Sequence, residues 1–260
     1  MNIRTPAVAG QFYERSPEVL HHQLDKWLGA CPKFESPLRA IIVPHAGYIY
    51  SGKIAAEAYS YVKLQSEHFH RVILIGPSHH FYFEGCAIPK AEIYNTPLGD
   101  VPIDKEAVRE LARHPCVQVT DQPHAPEHCL EVQIPFLQST LDEFQLLPIL
   151  TSHISPQELA MLIDPLWDES TLLVISSDLS HFHSYSEAMA IDQNSCLKIE
   201  DFQPDLAPEE ACGCTGINAL LQLADKHGYQ LERLHLANSG DTSGNKDKVV
   251  GYVSYLISAV

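Results

Sequence analysis

The chain has 260 residues, 45% of them hydrophobic, and a formal net charge of -16 at pH 7. That length and composition support a large buried core, while the acidic balance argues against nucleic acid or an anionic membrane as partner. No apolar run is long enough to cross a bilayer, and the start MNIRTPAVAGQFY lacks the pattern of a signal peptide, so the expectation is a full-length cytoplasmic protein forming one domain over residues 1–260.

Residues 5–13 read as a loop that brings Phe12 and Tyr13 over the mouth of a site. Ser16-Pro17-Glu18 supplies an N-cap and a proline at the first helical position, opening a helix to about Gly29 with Leu20, Leu24, Trp27 and Leu28 on one face. The run Ala40-Ile41-Ile42-Val43 is a buried strand stopped by Pro44, and His45 follows at once. A helix rich in alanine is expected over residues 53–62. A second run at 71–75 leads into Gly76-Pro77-Ser78-His79-His80. Short strands follow at 86–88 and 92–94, Asp104 caps a helix reaching about Arg113, and 117–119 is another short strand. Residues 123–131 lead into a helix on which His128 and Glu131, three apart, would share a face. A strand at 145–150 and a helix opened by Ser155-Pro156 precede the third run, 172–175, which leads into Ser176-Ser177-Asp178-Leu179-Ser180-His181. Helices are expected over 184–199 and 208–226, then strands over 231–237 and 249–257 flanking the polar loop Asn238-Ser239-Gly240-Asp241-Thr242-Ser243-Gly244. Alternating strands and helices predict an α/β fold of three layers, with a mainly parallel central sheet and helices on both faces.

In such sheets ligands gather at the carboxyl ends of the strands. Three apolar runs ending in histidine therefore point to one site, holding His45, His79 and the pair Asp178 and His181. Neutral imidazoles with a carboxylate suit a divalent first-row metal, and two histidines with one carboxylate leave positions open for substrate or O₂. Glu127, Asp178 and Asp241 are the candidate carboxylates, and His80, His124, His128 and His183 are candidates for supporting or acid–base roles. The start of the 123–131 helix is expected to line the same pocket through Glu127 or His128. Six further histidines, at 21, 22, 68, 70, 114 and 227, fall in surface helices and loops. Seven cysteines (31, 86, 116, 129, 196, 212 and 214) are irregularly spaced and read as buried reduced thiols, with Cys212-Gly213-Cys214 as a tight helix start. No dinucleotide fingerprint, phosphate loop, serine elbow or zinc-protease helix is present.

Taken together, PHAGY followed by Tyr50-Ser51-Gly52, then GPSHH, PEHCLEVQIPF, SSDLSHF, NSGDTSG and VVGYVSY resemble the Memo family, in order and through nearly the whole chain. The resemblance implies the fold of LigB-type extradiol dioxygenases, which use a mononuclear non-haem iron. It puts His45 and His79 on the metal and an acid–base histidine at His181; the residues themselves add Asp178, Glu127 and His128 as candidate catalytic groups and Tyr48, His80 and Thr242 as candidate pocket residues. Eukaryotic members carry a cysteine in the loop before the last strand, where this chain has Thr242. A hydroxyl is a poor iron ligand, so neighbouring Asp241 is the expected third donor. Iron(II) is the first choice of metal, with copper or zinc as alternatives. The resemblance implies a metal-dependent oxidoreductase, and the other reading is a pocket that binds a peptide or small molecule without turnover. Bacterial members often occur with a radical-SAM protein, which implies a shared pathway.

Overall fold

A computed structural model describes residues 2–29 and 33–260, so Cys31 lies outside the described residues. The strands in chain order are β1 (Ile3–Arg4), β2 (Leu38–Val43), β3 (Arg71–Pro77), β4 (Cys86–Ile88), β5 (Ile93–Thr96), β6 (Gly99–Pro102), β7 (Val117–Val119), β8 (Gln145–Thr151), β9 (Thr171–Ser176), β10 (His181–His183), β11 (Gln230–Asn238) and β12 (Val249–Ser258). The helices are α1 (Pro17–Trp27), α2 (Tyr48–Leu64), α3 (Lys105–Leu111), α4 (Ile134–Thr140), α5 (Pro156–Ile163), α6 (Tyr185–Glu200), α7 (Cys214–His227) and α8 (Ser239–Ser243).

The central sheet is nine-stranded. Its middle is parallel, in the order β2-β9-β3-β8. Antiparallel pairing of β12 with β2, and of β4 with β8, extends it on both sides. A small sheet of β1, β5 and β6 stands apart. The continuous apolar runs follow from burial on both faces, which removes the polar alternation of a one-sided strand. In β2, Ile41 and Val43 join a core with Leu20 of α1 and Tyr59 of α2, whereas Ala40 and Ile42 join a second core with Leu159 of α5, Cys196 of α6 and Ile217 of α7. These two cores make the three-layer α/β arrangement that the alternation of elements predicts. Among the described residues, no helix is long and apolar enough to cross a membrane.

Three local expectations need correction. Helix α2 starts at Tyr48, not Lys53, because the Tyr48 N–H is satisfied by the carbonyl of Phe12, a partner far away in sequence. Helix α7 starts at Cys214 and not near Pro208. Residues 123–130 are loop, and only a 3-10 turn at Glu131–Gln133 precedes α4. His128 and Glu131 therefore do not share a helix face. Glu131 is fully buried and accepts hydrogen bonds from Arg4, the N–H groups of Ala7 and Val8, and the Tyr13 hydroxyl. This anchor fixes residues 4–13 against the body of the fold.

Candidate metal centre

β2, β9 and β3 are adjacent and parallel, so the turns after Val43, Ser176 and Pro77 emerge side by side at one edge of the sheet. The first two are tied directly: Ser177 N–H donates to the Val43 carbonyl, and the His45 N–H donates to Asp178 Oδ1 at 2.7 Å. The third turn is held from the 123–130 loop, where Glu127 Oε2 accepts from the His79 N–H at 2.7 Å and Oε1 lies 2.8 Å from His79 Nδ1. The rings of His45, His79 and His128 lie with centroids 4.7–5.4 Å apart.

Proton bookkeeping fixes the tautomers. Ser176 Oγ gives its one proton to the Cys129 carbonyl at 2.7 Å and accepts from Gln133 Nε2 at 2.8 Å. The Gln133 amide is oriented by the Pro44 carbonyl, which Nε2 also reaches, and by the Tyr59 hydroxyl, which donates to Oε1. The contact of 3.0 Å between Ser176 Oγ and His45 Nδ1 must then be donated by the imidazole, because the hydroxyl has only one hydrogen. His45 Nε2 keeps its lone pair. His79 likewise donates from Nδ1 to the Glu127 carboxylate, leaving its own Nε2 free. Carboxylate or oxygen partners that fix a ring in this way are the usual support of a metal-ligating histidine.

The third group in reach is a thiol. Cys212 Sγ lies 3.3 Å from His45 Nε2, and His45, His79 and Cys212 offer ligand atoms within 4.8 Å of one another. Gly213 makes this approach feasible, since a Cβ there would sit 2.6 Å from Ser177 Cβ and push the 211–214 turn off β9. Sequence reasoning missed Cys212, which lies 167 positions from His45. The only local signal was the Cys-Gly-Cys turn, read as a helix start.

Asp241 does not join this set. Its Oδ2 accepts from the Asn238 N–H at 2.9 Å and its Oδ1 from the Tyr185 hydroxyl at 2.7 Å, which makes it the N3 member of the capping box of α8. Thr242 is exposed and donates to the Ser239 carbonyl. Tyr48 is not a pocket residue either; it is buried, with its hydroxyl on the Val132 carbonyl and its ring beside Phe136. His124 is a core histidine, held between the Tyr94 hydroxyl and the Ala87 carbonyl, and burial pushes its pKa down to about 3.

His80 and His128 form a further group with Glu127, as do His79 and Cys129. In both the Glu127 oxygens are already occupied, by the N–H groups of His79, His128 and Cys129 and by the His79 ring. Burial opposes the Glu127 charge, but bonds from His128 and His79 outweigh it and hold the carboxyl well below the usual range. Glu127 is thus an ionised orienting group.

Beside the three donors is a cavity of about 550 Å³, lined among others by Phe12, Tyr50, His128, Asp178, His181 and Lys248. The Phe12 ring lies 4.6 Å from that of His128, so the aromatic start of the chain does reach the site, whereas Tyr13 turns into the core. Burial pushes Asp178 up to about 6, and burial together with the nearby His79 lowers His181. Burial, then the rings of His79 and His128, lowers His45 strongly. Burial and the Asp178 charge push the Cys212 thiol up to about 12. A thiol held that high is no nucleophile without a cation beside it, while two imidazoles oriented through Nδ1 and a thiol are a fitting donor set for a borderline or thiophilic first-row metal. They do not suit calcium or magnesium, which require oxygen.

The comparisons with known proteins agree with this architecture. The family model for Memo-like proteins matches residues 4–256. A MEMO1 family protein of Aquifex aeolicus is 34% identical over 273 residues, covering 98% of this chain and 99% of that protein. Another from Saccharolobus solfataricus is 36% identical over 280 residues, covering 96% and 98%. The crystal structure of an uncharacterized protein of Escherichia coli K12, JW3007, is similar with a TM-score of 0.51 at 11% identity, covering 84% of this chain and 99% of that one, a likeness of fold alone. With the family match running from Arg4 to Leu256, and relatives a third identical along nearly their whole length, the chain belongs to the Memo family.

Proposed function

We propose that this protein is a metal-dependent oxidoreductase of non-haem design, with His45, His79 and Cys212 as the protein donors and iron(II) as the working ion. The observation that carries the reading is the convergence of two lone-pair-bearing Nε2 atoms and one thiol within 4.8 Å, next to a cavity of substrate size. The ion would supply a Lewis-acidic, redox-active centre with positions open beyond its three protein donors. Everything else is done by the chain. Ser176 and Gln133 hold His45 in its Nδ1–H tautomer, and Glu127 does the same for His79. Asp178 fixes the His45 backbone and lines the cavity, as Lys248 does. His181, kept neutral by burial, is placed to take a proton from a bound substrate. Phe12 shields His128 and narrows access for water.

The test is ferrous titration under argon, with nitric oxide as a spin probe of an open position. Iron-loaded protein should give a high-spin ferrous–nitrosyl signal that His79→Ala loses. A fully loaded protein that takes up no nitric oxide would refute an open, substrate-ready centre.

A further inference from the structure

The opposite edge of the sheet carries an unexplained charge. Arg39 is the second residue of β2, about 20 Å from His45 at roughly 3.3 Å per residue. The residue is only 6% exposed, yet among the described residues it makes no ion pair, and its buried Nε has no hydrogen-bond partner. A buried guanidinium cannot neutralise itself by losing a proton, and an uncompensated buried charge is strongly unfavourable. Most buried arginines answer this with a carboxylate. This one has the faces of Trp167 and Tyr229, at 5.9 and 5.5 Å from its Cζ. Stacking of this kind leaves the forked N–H edge available.

The backbone is built to aim it. Ala40 pairs with Ile257 and Leu38 with Ser258, so Arg39 is the extra residue of a β-bulge, a device that redirects a side chain out of the strand's alternation. Arg39 thereby lines a cavity of about 730 Å³ with Phe34, Leu38, Phe69 and Tyr229 as apolar walls. Glu35 and Glu169 stand at its exposed rim, neither of them paired with Arg39.

We propose that this amino-edge cavity is a binding site for an apolar monocarboxylate, with Arg39 as the group that receives the carboxylate through its fork. A guanidinium fork matches a carboxylate in a bidentate way. One buried positive charge balances one negative charge. The two rim carboxylates repel a dianion such as phosphate, and the apolar walls favour a hydrocarbon body over a small inorganic ion. The site is independent of the histidine centre.

The test is calorimetric titration of the whole protein with sodium benzoate, with benzyl alcohol and inorganic phosphate as comparison probes. Saturable binding of benzoate is expected, with at least tenfold weaker binding of the other two. Arg39→Met should lose the benzoate response, Arg39→Lys should weaken it several-fold by removing the fork, and Glu169→Gln should tighten it. Benzoate should raise the melting temperature of the wild type and leave that of Arg39→Met unmoved. Should Arg39→Met fail to fold, Arg39→Lys and Glu169→Gln carry the test. Absence of saturable benzoate binding overturns the proposal, as does equal binding of benzyl alcohol or binding undiminished in Arg39→Lys. Benzoate binding that disappears in His79→Ala would place the ligand in the histidine centre and overturn it as well.

Discussion

Ser176→Ala is the sharpest perturbation of the candidate centre that leaves every proposed ligand in place. Ser176 Oγ bonds to Cys129 O, Gln133 Nε2 and His45 Nδ1 at 2.7, 2.8 and 3.0 Å, and the residue is fully buried. Removing the hydroxyl leaves the Cys129 carbonyl and the His45 Nδ1–H without a buried partner, while Gln133 Nε2 retains the Pro44 carbonyl. At about 1–3 kcal/mol for each of the two groups left unpaired, the loss of stability should be about 2–6 kcal/mol. The second effect is on His45 itself. Without an acceptor at Nδ1 the ring is free to protonate Nε2 or to turn, and loss of such a support typically costs about 10–100-fold in metal affinity. Thermal denaturation reads the first quantity, and competition against a chromogenic chelator reads the second. A folded Ser176→Ala protein with wild-type metal affinity would refute the tautomer argument.

Other substitutions separate the roles of neighbouring groups. Asp241→Asn should leave metal affinity unchanged in the same titration and cost about 1 kcal/mol of stability, as expected for a capping residue. Glu131→Gln should lower the melting temperature markedly, since breaking a buried ion pair costs about 3–5 kcal/mol; tryptic cleavage near Arg4 and Arg15 should accelerate. Glu127→Gln removes a carboxyl whose folded pKa is depressed. The stabilisation it provides is present above the unfolded value of 4.5 and is lost as pH falls below it, so the variant should be less stable at neutral pH and show a flatter acid limb in pH-dependent melting. Gly85→Ala should fail to accumulate as folded protein, because Gly85 has φ +86° and a Cβ there would sit 1.9 Å from the Cys116 carbonyl oxygen.

The sheet was legible because its central strands are buried on both faces. The runs ending at Val43, Ile75 and Ile175 need no partner information to be recognised, and each is halted by proline or polar residues where the chain turns. Their adjacency then delivers His45, His79 and Asp178 to one edge. What escaped was set by contacts between distant segments. Nothing local says that Gly213 lets the Cys212 turn approach β9, or that Phe12 starts α2 early. Glu131 looked like a partner for His128 because a helical spacing was assumed where the chain forms a loop and a 3-10 turn. Asp241 is the instructive case. Asn238 followed three residues later by an acid satisfies a capping box as readily as a ligand loop, and this short-range chemistry prevailed over the ligand role expected of the carboxylate beside Thr242.

Cobalt(II) titration of the metal-stripped protein, followed by near-ultraviolet absorption, bears most directly on the donor set of His45, His79 and Cys212. Wild-type protein should develop a thiolate-to-cobalt charge-transfer band that saturates at about one equivalent. The band should vanish in Cys212→Ser and persist in Asp241→Asn. Tight cobalt binding without that band, or a band unaffected by Cys212→Ser, would contradict the assignment of Cys212 as the third ligand.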